Sequence, residues 1–122
     1  MSQHPVVHIE ISANNLAEAS HFYSELFGWK IEQIPAMNYA TFAAEGGPGG
    51  GFNPVSENAP AGTVLVYINS DDIDADLSKA AQLGGAVLAP KTEIPGEGWF
   101  GIFADPTGNK LALFTTSRAQ PM

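Results

Sequence analysis

The chain contains no cysteine. That excludes a disulfide framework, a thiolate nucleophile and any cysteine-ligated metal site. Lysine and arginine number only 5 against 13 aspartates and glutamates, giving a formal net charge of −8. Phosphate contacts are made by Lys and Arg, so no nucleic-acid partner is expected. The acidic balance suits solubility and favours a cationic ligand. No apolar run approaches the ~20 residues of a membrane-spanning helix, so no membrane partner is expected either. Met1-Ser2-Gln3-His4-Pro5 has neither the basic nor the apolar segment of a secretory signal. These absences predict a soluble, cytoplasmic protein. Its 122 residues suffice for one domain with a real core.

What is present is a pattern that occurs twice. From Val7 to Ile11, Ile9 and Ile11 share one strand face, and His8 and Glu10 the other. Asn14-Asn15 offers an N-cap, with Glu18 placed as in a capping box. Leu16, Ala19, Phe22, Tyr23, Leu26 and Phe27 make an apolar helical stripe, and Gly28 ends it. Trp29–Ile34 and Tyr39–Ala44 read as strands. Gly46-Gly47-Pro48-Gly49-Gly50-Gly51 reads as a flexible turn entering a short strand near Phe52. It lacks the Gly-Lys-Ser/Thr ending of a phosphate-binding loop and opens no helix.

After a linker at 54–62 the order begins again. Thr63–Asn69 reads as a strand. A helix opens at Asp71-Asp72 with acidic residues at its positive end, and Ile73, Leu77, Ala80 and Ala81 form its stripe. Ala86-Val87-Leu88 reads as a strand stopped by Pro90, and Lys91–Gly98 as a loop. A hairpin spanning Phe100–Phe114 turns at Asp105-Pro106-Thr107-Gly108-Asn109, a sequence rich in turn residues. At an offset of 57 residues Ile11 matches Ile68, Asn15 matches Asp72, Gly28 matches Gly85 and Ile31 matches Leu88. Each half is strand, helix, three strands, helices at 15–27 and 72–83. A duplicated unit of this kind decides the fold. The prediction is an α+β domain of two tandem βαβββ modules, 5–53 and 63–116, whose curved mixed sheet forms a cup that holds a small-molecule ligand.

Phe22-Tyr23-Ser24-Glu25-Leu26-Phe27-Gly28-Trp29 and Asp105-Pro106-Thr107-Gly108-Asn109 resemble the helix ending and closing turn of the glyoxalase/bleomycin-resistance/extradiol-dioxygenase superfamily, the vicinal oxygen chelate proteins. The resemblance covers roughly residues 5–116. It implies two βαβββ modules forming a cup and, by analogy, a homodimer. In metal-dependent members four inward strands each supply a His, Glu or Gln ligand to a divalent ion. His8 stands at the first such position and is the only retained candidate. Leu65, or Thr63 in a slipped register, takes the second-module equivalent. Ala112 holds the last position, and the remaining one falls near Gly50, Gly51 or Phe52. The resemblance therefore implies a fold without its full metal site. No cofactor is expected, with a divalent metal as the alternative.

The expected pocket is lined by His8, Glu10, Tyr67, Trp99, Ala112 and Phe114. His8, Glu10 and Tyr67 are placed by strand alternation, Ala112 by the resemblance, Phe114 by sharing its face, and Trp99 by its loop. No catalytic residue is assigned. His4 and His21 are given no role. Two classes stay open: a binding protein for a partly apolar or aromatic ligand, as in the antibiotic-resistance branch, and a metal-dependent lyase, isomerase or dioxygenase.

Overall fold

Alternating Ile9, Ile11 and Ala13 put one apolar edge on the first strand, and a helix covers it. The computed structural model describes residues 4–117; part of the stretch read above for a leader lies outside them. The elements follow the repeated order: β1 (Val6–Ala13), α1 (Leu16–Phe27), β2 (Lys30–Ile34), β3 (Tyr39–Ala43), β4 (Gly49–Pro54), then β5 (Val64–Asn69), α2 (Ile73–Gln82), β6 (Ala86–Ile94), β7 (Gly98–Ala104) and β8 (Lys110–Thr116). A 3-10 turn, Pro35–Met37, joins β2 to β3. The chain divides into two compact units, Val7–Val66 and residues 67–117 with 4–6.

In the first unit β1 pairs parallel with β4, β4 antiparallel with β3, and β3 antiparallel with β2. The core lies between this sheet and α1. Ala13, Ala40, Phe42 and Phe52 are buried, and Ile9, Ile11, Leu16, Ala19, Tyr23, Trp29 and Ile31 pack on them. Phe52 is wholly buried, worth about 1.5–3 kcal/mol of hydrophobic stabilisation. The Asn15 side chain caps α1 by accepting from the Glu18 N–H at 2.8 Å, and Gly28 closes it in the left-handed region at φ 75°.

The α1 stripe is narrower than the sequence implies. Leu16, Ala19 and Tyr23 fall on the ridge that meets the sheet. Phe22 and Leu26 lie on the next ridge and are 57% exposed, and Phe27 is 58% exposed. Leu26 is therefore a surface residue. The glycine run also divides: Gly49, Gly50 and Gly51 are not turn but the first half of β4.

The second unit repeats the plan. β5 pairs parallel with β8, β8 antiparallel with β7, and β7 antiparallel with β6. Ile73, Leu77 and Leu113 form its buried centre. Asp72 caps α2 by accepting from the Ala75 N–H at 3.0 Å. The helix ends two residues sooner than its counterpart, and the left-handed glycine comes one position sooner, so Gly84, at φ 100°, takes the part that Gly28 plays. Ile31 pairs with Phe42 as Val87 pairs with Phe103. The mates of Gly28 and Ile31 are thus Gly84 and Val87, not Gly85 and Leu88.

Pro90 does not stop β6. The strand continues to Ile94 through register shifts on either side of Ala89. Within this unit β6 pairs only with β7, and a strand edge tolerates a residue without an N–H. Lys91–Ile94 is therefore strand rather than loop.

Candidate functional site

On β1 the residues alternate with the core: His8 and Glu10 occupy the sheet face opposite α1. Glu10 lies across from Gly51 of β4, and Gly51 across from Thr41 of β3. Tyr39 opens β3 on this same face and reaches back over β4. Its hydroxyl donates to Glu10 Oε2 at 2.9 Å and lies 2.8 Å from His8 Nε2. The rings of His8 and Tyr39 are nearly parallel, 15° apart, with centroids separated by 6.5 Å.

The Tyr39 hydroxyl has one proton and donates it to Glu10. Tyr39 then accepts from His8, which places a proton on Nε2. Burial holds the His8 imidazole below its ordinary value of 6.5, because desolvation disfavours the charged ring. The trio is thus a neutral imidazole, a phenol and a carboxylate in one hydrogen-bonded line. It can grip a polar group of a ligand or pass a proton along the line.

Tyr39 is the residue that sequence reasoning missed. Its signal was the glycine at 51: a Cβ there would overlap the hydroxyl end of the Tyr39 side chain. Glycine in a strand interior often marks such a close approach.

The residues present do not fit a divalent centre. Catalytic sites of that kind take about three protein ligands. Across from His8 and Glu10 stand Gly49 and Gly51, which carry no side-chain donor. Ala112, at the last ligand position implied by the resemblance, offers only a methyl group and is wholly buried. Among the described residues no three His, Asp or Glu side chains come together.

In the second unit, Tyr67 lies across from Ala112, Ala112 from Ile102, and Phe114 from Phe100. Residues directly opposite share a face, so Tyr67, Ala112 and Phe114 stand together, with Phe100 and Ile102 beside them. This face is opposite the one that α2 covers through Leu113. Trp99 is not part of it. It pairs with Thr115, packs against the Ile73, Leu77 and Leu113 cluster, and carries the Lys91 Nζ 5.4 Å from its ring centroid. The strand begins at Gly98, one residue before Trp99, so alternation gives the other face to Phe100. His21 is exposed. His4 bonds Asp76 Oδ2 at 3.0 Å. Among the described residues no helix is long and apolar enough to cross a membrane.

The Glyoxalase/Bleomycin resistance protein/Dioxygenase superfamily profile matches residues 6–113. A "Glyoxylase-like domain-containing protein" of Didymella fabae is 35% identical over 115 residues, covering 88% of this chain and 90% of that protein. A "Putative glyoxylase CFP32" of Mycobacterium bovis is 28% identical over 90% of this chain, which spans only 45% of that protein's length. Among solved structures, methylmalonyl-CoA epimerase from Mycobacterium tuberculosis superposes with a TM-score of 0.70 at 13% identity, covering 92% of this chain and 87% of that one.

Proposed function

The chain belongs to the Glyoxalase/Bleomycin resistance protein/Dioxygenase superfamily, and from that premise we propose that it binds a small, partly apolar or aromatic molecule without a resident metal ion. The observation that carries this reading is the Tyr39 hydroxyl, which engages both His8 Nε2 and Glu10 Oε2. Those are the two side chains of β1 that would otherwise be turned toward a cation. On the first module the trio suits a ligand group that donates or accepts hydrogen bonds. The helix-free face of the second module, taken by itself, suits an apolar group against Tyr67 and Phe114, while Ala112 between them is wholly buried. In this reading the two modules act as one domain, in a cytoplasmic homodimer.

A metal-dependent lyase, isomerase or dioxygenase is the second reading. It is favoured by the adjacent nitrogen and oxygen donors of His8 and Glu10, and by the likeness to the M. bovis putative glyoxylase. Elemental analysis after mild purification, run beside a thermal-shift screen of small organic molecules, separates the two. The expected result is substoichiometric metal and a ligand-induced stabilisation that Tyr39→Phe reduces. Stoichiometric nickel, zinc, iron or manganese, lost with any activity in His8→Ala, overturns the metal-free reading. Sedimentation showing only monomer at tens of micromolar, an order-of-magnitude concentration for a stable pair, would remove the homodimer.

A further inference from the structure

The second module has a cavity of about 340 Å³ between α2 and its sheet, within the range of roughly 300–1,000 Å³ typical of ligand sites. It lies on the helix side of the sheet, away from Tyr67, Ala112 and Phe114. Ile68, Ala80, Leu83, Gly85, Phe103 and Leu113 supply its apolar walls.

The repeat explains why the space exists. Asn15 and Asp72 cap their helices in the same way, so Tyr23 and Ala80 occupy the same helical position. Trp29 and Gly85 each follow a left-handed glycine, Gly28 and Gly84. Ile11 pairs with Phe52 as Ile68 pairs with Leu113. Tyr23, Trp29, Phe42 and Phe52 of the first module therefore answer to Ala80, Gly85, Phe103 and Leu113 of the second.

In the first module those four rings stack. Trp29 lies 4.3 Å from Phe42, and Tyr23 lies 5.4 Å from Trp29 and 5.2 Å from Phe52, all as centroid separations. The hollow of that module, of the same volume of about 340 Å³, lies instead against the first turns of α1, and neither Trp29 nor Phe42 lines it. In the second module the ring at the Tyr23 position is absent, and Gly85 carries no ring because a Cβ there would meet the carbonyl oxygens of Ala104 and Ala80, so the space opens beside Ala80. Leu77, in the position of Ser20, fills the core beside it but leaves the cavity open.

The polar lining is His4, Asp76, Lys79 and Asp105. Both Asp105 oxygens are engaged within its own turn. Asp76 Oδ2 accepts from the Ser70 hydroxyl at 2.6 Å and meets His4 Nε2 at 3.0 Å. Two carboxylates stand with one lysine and the His4 ring, and in a chain of net charge −8 the balance favours a cation.

We propose that this cavity binds a small planar aromatic amine, its ring taking the volume that Tyr23 fills in the first module and its ammonium facing Asp76. The site is separate from the His8–Tyr39–Glu10 trio and stands or falls independently of it.

The test is titration of the full chain with tryptamine, indole and indole-3-propionate, followed by amide chemical shifts. Tryptamine is expected to move the resonances of Ala80, Leu83, Gly85 and Phe103 saturably. Indole should bind about tenfold more weakly, one charge-assisted hydrogen bond's worth, and the propionate more weakly still. Ala80→Leu places a side chain in the cavity and should abolish binding of all three. Asp76→Asn should remove the advantage of tryptamine over indole and leave indole binding unchanged. Absence of shifts at these residues with millimolar tryptamine overturns the proposal. So do equal affinities for the three probes, full binding by Ala80→Leu, or shifts confined to His8, Glu10 and Tyr39. Should Ala80→Leu fail to fold, shift mapping on the unaltered protein and the Asp76→Asn contrast decide the matter.

Discussion

The ring of Tyr39 lies across Gly51, at the point where any Cβ would overlap the phenol. Tyr39 belongs to β3 and its partners His8 and Glu10 to β1, with β4 between them. A phenol can span an intervening strand only if that strand has no side chain beneath the ring. Gly51 thus decides whether the imidazole, phenol and carboxylate meet.

Gly51→Ala should therefore displace Tyr39 and break both hydrogen bonds. The expected cost is about 1–3 kcal/mol, from overpacking and the lost bonds, measured by urea denaturation. Tyr39→Phe keeps the ring and removes only the hydroxyl, and should cost about 1–2 kcal/mol. A Gly51→Ala protein as stable as the original, with unchanged His8 ring resonances, would show that the ring need not cross there.

The His8 imidazole carries a pH dependence. Burial lowers its pKa from 6.5 in the folded chain, so the unfolded chain binds its proton first as pH falls. Stability from this group is then fully present above pH 6.5 and is lost as pH falls through the window between 6.5 and the lower folded value. His8→Gln retains a donor for Tyr39 but does not titrate. The stability difference between the original and His8→Gln should shrink as pH drops below 6.5, read from urea midpoints across that range. A difference independent of pH would mean that His8 is not held neutral by the fold.

The modular order was legible because two kinds of periodicity and two sets of caps recur. Ile9 with Ile11, the Asn15 and Asp72 caps and the turn at Asp105 all depend on neighbours close in sequence. What escaped depends on register. The faces of Trp99 and Phe100 hinge on whether β7 starts at Gly98 or later, and a one-residue change reverses every side chain. Tyr39 meets His8 only because β4 inserts between β3 and β1, which no local pattern states. Pro90 looked like a strand end because the sequence does not say that β7 pairs with β6 on one side only. The exposure of Leu26 follows from which ridge of α1 meets the sheet.

That ridge predicts unequal costs for two leucines. Leu77 is 5% exposed and packs with Ile73 and Leu113, so Leu77→Ala should cost about 2–5 kcal/mol. Leu26 is 57% exposed, and Leu26→Ala should stay within about 0.5 kcal/mol, as for most surface changes. Denaturant midpoints of the two variants check this. Equal costs would mean that Leu26 is covered in solution, as a homodimer through α1 would do.

The β7–β8 turn is held by one carboxylate. Asp105 Oδ1 accepts from the N–H groups of Thr107, Gly108 and Asn109 at 3.0, 3.0 and 2.9 Å, and Oδ2 from the Asn109 amide at 3.0 Å. The Asn109 amide, ahead of the backbone donors, holds its pKa below the ordinary 3.8. The stabilisation is therefore present above pH 3.8 and is lost as pH falls through the lower folded value. Asp105→Ala should lower the midpoint of thermal unfolding at neutral pH and converge on the original protein in strong acid. Asp105→Asn should fall between them, since its amide oxygen can still accept from the backbone while its NH₂ faces the Asn109 amide. Gly108, at φ 107°, gives a second probe of the same turn. Gly108→Ala should cost about 1 kcal/mol or more from the left-handed backbone alone, with no dependence on acid. If Asp105→Ala keeps its deficit at low pH, the carboxylate is not what fastens the hairpin.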